Sequence, residues 1–261
     1  MQIVKLSSSG RRQSPRENDL LAALPPEVYE RLRPHLEPML LPVGLALHEP
    51  GDAQEHVYFP TDCIVAFLYS MENGSAAEIA VVGREGMVGT SMVIGGGGPP
   101  SRAVVASTGK AFRLRASVLK AEFERASELQ HLLLGFMQAR LAQTAQTVIC
   151  TRYHTLEQQL CRWLLWSLDR VSSNTLTMTH ELIANMLGVR RESVTDAVGH
   201  LRAAGLIDYT RGHITVVDRL KLEEKVCECY AVVKKEYGRL LPKMPAHAAE
   251  RRPIGANPAI A

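Results

Sequence analysis

At 261 residues, with 46% hydrophobic and 22% charged side chains, the chain has the length and composition of one large or two ordinary folded domains. It contains no apolar run of about 18 residues, and its polar first 18 residues lack the apolar core of a signal peptide, so neither a membrane span nor secretion is expected and a cytoplasmic protein is. A net charge of +3 and a pI near 8.6 permit nucleic-acid binding without arguing for it, so any such case must rest on residue placement.

Residues 1–18 read as disordered. Residues 18–38 read as helical, with Pro25 and Pro26 opening a helix through Val28, Tyr29 and Leu32, and Pro34 and Pro38 ending it. From 39 to 115 the period shortens. Apolar runs at 39–47, 57–59, 63–69, 78–82, 87–94, 103–106 and 111–114 alternate with glycines, the pattern of an antiparallel barrel or jelly roll. Asn73-Gly74 is a tight-hairpin signal. Ser117 is a candidate cap for a short helix over 118–125.

A long helix is expected over 127–148, with Leu129, Leu133, Phe136, Met137, Leu141 and Val148 as its apolar stripe and dimer seam. Gly135 costs about 1 kcal/mol inside a helix relative to alanine, which makes sense if another backbone approaches there. Residues 154–171 form an amphipathic helix with Trp163 in its core face, and 172–177 a polar connection or short strand. A final helix is expected over 218–237, and a proline-rich, unstructured tail over 241–261.

Five cysteines, Cys63, Cys150, Cys161, Cys227 and Cys229, argue by their odd number against a disulfide framework. Cys227 and Cys229 invite a metal or redox reading. On a helix, however, residues two apart point to different faces, so inert thiols and no metal site are expected. His48, His56 and His131 are assigned to no haem or metal.

The richest stretch is 179–212. Thr179 can cap a helix beginning at His180, and Ile183 and Leu187 share its apolar face. Ala184 allows a close crossing, and Gly188 can take the positive φ of a tight inter-helix turn. Val194, Val198 and Leu201 form the inner face of a second helix, leaving Arg190, Arg191, Glu192, Ser193 and Thr195 on its first turns. Strands at 206–209 and 213–217 close a wing whose turn holds Arg211. Arg pairs bidentately with guanine and Glu accepts from the cytosine amino group, so this reads as a winged helix-turn-helix that binds double-stranded DNA through Thr179, His180, Arg190, Arg191, Glu192, Ser193, Thr195 and Arg211.

Arg191-Glu192-Ser193-Val194, with 201–207 and 212–216 after it, resembles the DNA-binding domain of the Crp/Fnr superfamily of bacterial transcription regulators, whose recognition helix opens Arg-Glu-Thr-Val-x-Arg. Asp196 stands where that pattern often has its second Arg, so known target sequences are not carried over. The resemblance extends to the barrel, where residues 86–89 look like the start of the phosphate cassette of cyclic-nucleotide domains. That cassette needs backbone N–H groups and an Arg on the phosphate, and a Glu on the ribose. Here Thr90 holds the Glu position, Pro100 the Arg position, and Arg102 comes two residues late unless the 95–100 loop slips. Gly89, Thr90, Ser101 and Arg102 are the candidate ligand residues, for a cyclic nucleotide only if that slip occurs and otherwise for an unidentified small-molecule effector, if any. Some members carry an N-terminal cysteine cluster for an iron–sulfur centre; no cysteine precedes Cys63, so no such cluster is expected.

The expected architecture is α+β: a disordered start (1–18), a β-roll sensor resembling cyclic-nucleotide domains (19–126), a dimerisation helix (127–150), a winged helix-turn-helix (151–238) and a disordered tail (239–261). The expected function is a homodimeric, sequence-specific transcription regulator on a palindromic site, partnered by RNA polymerase as the resemblance implies. The competing function is a small-molecule module whose winged domain contacts protein. No catalytic residue is assigned, because Ala184 breaks the zinc-protease pattern begun by His180-Glu181 and no nucleophile elbow occurs.

Overall fold

Helix and strand signals of the sequence resolve into an α+β molecule in the computed structural model, which describes residues 13–72, 76–95, 98–171 and 173–241. Residues 13–18, expected to be disordered, are held by local caps and by Asn18. The Ser14 and Glu17 side chains form a capping box around a single 3₁₀ turn, Pro15–Glu17. Asn18 caps α1 (Asp19–Ala22) and donates to the carbonyls of Pro60 and Gly86 at 2.8 Å each, tying this segment to the roll. Helix α2 (Pro26–Leu32) follows. Residues 1–12 lie outside the described residues, as do most of the expected tail and the Asn73-Gly74 turn.

The roll consists of β1 (Glu37–Leu41), β2 (Ala46–His48), β3 (His56–Pro60), β4 (Ile64–Ser70), β5 (Ala76–Val82), a helical turn α3 (Ser91–Ile94), β6 (Arg102–Ser107) and β7 (Gly109–Arg115). All pairings are antiparallel, in two sheets ordered β1-β7-β3 and β2-β6-β4-β5. Strand β4 reads as a continuous apolar run because both of its faces are covered. Val65 and Phe67 face the roll interior, whereas Ile64, Ala66 and Leu68 join the core of the C-terminal domain. The run at 87–94 is not a strand. Only Val88 bridges to Tyr58, and the chain then turns into α3. The short helix α4 (Ala116–Phe123) starts two residues earlier than expected, with Arg115 rather than Ser117 at its N-cap.

Helix α5 (Glu128–Tyr153) is apolar on two faces. Leu129, Leu132, Leu133 and Phe136 recur at helical spacing and are buried in the roll core, each contributing roughly 1.5–3 kcal/mol by removal from water. Leu129, Leu133 and Phe136 are therefore not a dimer seam, as the sequence suggested. The outward stripe is Leu134, Leu141 and Val148 at seven-residue spacing, flanked by Ile149 and Tyr153, all exposed. A Cβ on Gly135 would meet the Leu240 carbonyl oxygen at 2.8 Å, which is the close backbone approach that explains a glycine in mid-helix.

Beyond α5 come α6 (Leu156–Arg170), β8 (Thr175–Thr177), α7 (His180–Leu187), α8 (Arg191–Ala203), β9 (Ile207–Thr210), β10 (His213–Val216), α9 (Arg219–Lys225) and α10 (Cys229–Leu240). The expected single helix over 218–237 is two. Val226 turns to extended backbone (φ −70°, ψ 152°), and the chain restarts at Cys229 to run back along α5. Helices α6 and α7 pack on the outer face of the four-stranded sheet, so one apolar cluster spans both domains. Trp163 sits on this seam and donates from Nε1 to Glu78 Oε2 at 3.1 Å, and buried Arg170 pairs with Glu85 at 2.7 Å. Among the described residues, no helix is long and apolar enough to cross a membrane.

Candidate nucleic-acid interface and sensor cavity

The helix-turn-helix follows from local rules. Thr179 Oγ1 accepts from the Leu182 N–H at 3.1 Å and caps α7. Gly188 closes that helix in the left-handed region (φ 67°), where a side chain would be strained. Ile183, Ala184 and Leu187 on α7 and Val194, Ala197, Val198 and Leu201 on α8 are buried, so α8 can present only its opposite face. That face carries Arg190, Arg191, Glu192, Ser193, Thr195 and Asp196, all exposed. Among the described residues, Arg190, Arg191 and Glu192 form no ion pair, so their charges remain available to another molecule.

Besides Thr179, two more of the predicted contact residues have intramolecular work. The Thr195 hydroxyl donates to the Arg191 carbonyl (3.1 Å) and accepts from His180 Nδ1 (3.0 Å). His180 also stacks on Tyr209 with ring centroids 4.2 Å apart. Burial, and then the neighbouring Arg191 charge, holds its pKa below the usual histidine value. A neutral His180 thus braces α7, α8 and the wing against one another. The wing is a three-stranded sheet, β8-β10-β9. Thr210 pairs with His213 across a two-residue turn in which Arg211 (φ 49°) and Gly212 (φ 82°) both have positive φ, a primed hairpin geometry that lifts the exposed Arg211 to the tip.

The predicted ligand residues divide. Gly89, Thr90 and Ser101 line a cavity of about 160 Å³ in the roll, together with His48, Gln54 and Arg140. Arg102 does not: it lies at the surface, where its Nε pairs with Glu49 at 3.0 Å. Strand β6 begins at Arg102 and pairs with β4, which fixes the register and prevents the loop slip. The cation in the cavity comes instead from α5. Arg140 lies over the Phe67 ring at 4.0 Å and reaches Thr90 Oγ1 at 3.5 Å, but pairs with no carboxylate among the described residues. Among the described residues, its Nε, Gln54 Nε2 and His48 Nδ1 are buried without hydrogen-bond partners. Burial lowers the pKa of Arg140, as expected for a cation removed from water. The sequence does contain a signal for it: Arg140 lies four residues after Phe136 on the buried face of α5.

The architecture is a β-roll joined by a long helix to a winged helix-turn-helix. Residues 158–225 match the family model of the Crp-like helix-turn-helix domain. The chain is 23% identical over 192 residues to the global nitrogen regulator of Synechococcus elongatus, covering 70% of this chain and 86% of that one. Its fold is similar to FixK2 from Bradyrhizobium japonicum (TM-score 0.63, 15% identity, 74% of this chain and 98% of that one). It is also similar to the c-di-GMP-responsive global regulator CLP of Xanthomonas campestris (TM-score 0.58, 15% identity, 74% and 99%). Residues 158–225 thus carry a Crp-like helix-turn-helix domain, and the chain as a whole is similar in sequence to a global nitrogen regulator and in fold to FixK2 and CLP.

Proposed function

We propose that the protein acts as a homodimer on a palindromic operator, with the N-terminal end of α8 in the major groove and the wing tip on the adjacent backbone. The observation that carries this reading is the N-terminal end of α8: Arg190, Arg191 and Glu192 are exposed and form no ion pair among the described residues, on a helix whose back is buried. Arg191 and Glu192 read base edges, while Arg190 and Arg211 contact phosphate. Thr179, His180 and Thr195 hold the reading head in shape, so their effect on binding is indirect. The outward stripe of Leu134, Leu141 and Val148 supports self-association through α5, which would set two heads one helical turn of DNA apart.

The division into a sensor (19–126), a linking helix (127–150) and a winged domain (151–238) carries the regulation. The cavity is smaller than the roughly 300–1,000 Å³ of drug-sized sites, and its buried, unpaired cation favours a compact anionic effector. Because Arg140 lies on α5 and the rest of the lining on the roll, an occupant bridges the sensor to the helix that joins the two domains. The reader of a chromosomal operator works in the cytoplasm and acts on RNA polymerase.

Binding of labelled duplex at several salt concentrations tests the proposal. Arg191→Ala should lose about 1–3 kcal/mol of specific binding, as for a guanine-pairing arginine. An unchanged affinity and preference would refute the assignment of Arg191.

A further inference from the structure

Cys150, His154, Cys227 and Cys229 are far apart in sequence but converge where α5 ends and α9 gives way to α10. Their ligand-type atoms all lie within 4.8 Å of one another. Cys150 Sγ is 3.6 Å from Cys227 Sγ, and Cys229 Sγ is 3.4 Å from His154 Nδ1. A tetrahedral Zn²⁺ with Zn–S near 2.3 Å and Zn–N near 2.0 Å places its ligand atoms about 3.5–3.8 Å apart. We propose that these four side chains form a Cys₃His zinc site that clamps the end of the long helix to the C-terminal helix pair.

The surroundings suit a filled shell better than a disulfide between Cys150 and Cys227. A disulfide would use two sulfurs and leave Cys229 and His154 without a purpose. Gln146 Nε2 donates to Cys229 Sγ at 3.1 Å, as amide donors do to ligating thiolates. With Nδ1 turned toward the sulfurs, His154 presents Nε2 to Glu228 Oε2 at 3.3 Å, the carboxylate–histidine arrangement that orients a metal-bound imidazole. Three thiols lose their protons on binding and the imidazole stays neutral, so the complex carries a net charge of −1. Arg162 lies nearby in the core, 2% exposed. Its Nη1 donates to Thr147 Oγ1 at 3.2 Å, it pairs with no carboxylate among the described residues, and its charge acts on the Cys150 sulfur. A buried unpaired cation beside a monoanionic metal complex is a matched arrangement.

The helix break creates the geometry. Cys227 lies in the turn after α9 and Cys229 at the first residue of α10, so the two sulfurs converge although the residues are two apart. The expectation of inert thiols assumed one continuous helix, and the break removes that assumption.

The test is metal analysis of the reduced full chain, with Zn²⁺ and Co²⁺ as probes. One Zn²⁺ per chain is expected, with Co²⁺ giving tetrahedral thiolate bands. Cys150→Ser should abolish those bands, and Cys63→Ser, in the roll, should leave them intact. Glu228→Gln, at an exposed position and so safe for folding, should weaken Zn²⁺ binding about 10- to 100-fold. Each of four results would overturn the site: no metal and no Co²⁺ bands from fully reduced thiols, bands that survive Cys150→Ser, an iron–sulfur chromophore, or unchanged affinity in Glu228→Gln.

Discussion

Glu78 is a carboxyl buried at the seam between the β-roll and the winged domain, and replacing it should change how stability depends on pH. Its pKa is raised from 4.5 to about 8, chiefly by burial. The Trp163 indole N–H from α6 and the charges of Arg162 and Arg170 oppose the shift without cancelling it. At about 1.4 kcal/mol per unit, the fold disfavours the ionised form by an upper bound on the order of 5 kcal/mol. The folded state therefore holds a proton that the unfolded chain releases. This stability is fully present below pH 4.5, and it declines as pH rises through 8. In Glu78→Gln the side-chain carbonyl still accepts from Trp163, and nothing ionises. Burying the extra amide hydrogen costs about 1–3 kcal/mol at every pH, so the slope is the readout rather than the level. Urea unfolding at pH 6, 7 and 8.5, followed by tryptophan emission, is the assay; both tryptophans are on α6. The wild type should lose about 1 kcal/mol or more per pH unit relative to the variant. Parallel pH dependences would refute the reasoning.

Leu141→Glu places a charge in the middle of the outward α5 stripe, where Leu141 is 63% exposed, and should convert a dimer to a monomer without loss of fold; light scattering after gel filtration reads the mass, and an unchanged dimer would move the seam elsewhere. Arg140→Met removes a buried cation of similar length and should raise the thermal midpoint of the ligand-free protein while abolishing stabilisation by small organic anions; a lower midpoint would mean that the contacts of Arg140 with Phe67 and Thr90 outweigh the cost of burying its charge.

What could be read in the sequence was local. The helix-turn-helix depends on Thr179, Gly188 and apolar residues within one or two turns of them, so spacing alone reveals it. The close approach at Gly135 was legible as a need, although its partner, the Leu240 carbonyl, was not. What escaped depends on distant chain segments. The apolar residues of α5 serve two partners at once, so periodicity cannot say which stripe faces the roll and which faces outward. Arg140 replaces Arg102 in the cavity because β6 pairing fixes the register of one and helix packing delivers the other. Cys150 and Cys227 meet across 77 residues, and only the turn between α9 and α10 makes that meeting chemically useful.

The central claim is that α8 reads a specific duplex. Its most direct test is enrichment of genomic fragments by the purified protein, run beside Arg191→Ala and sequenced. The account predicts one shared palindrome recovered by the wild type and lost or relaxed in the variant. A palindrome recovered equally by both proteins, or no sequence preference by the wild type across salt concentrations and effector extracts, would contradict it.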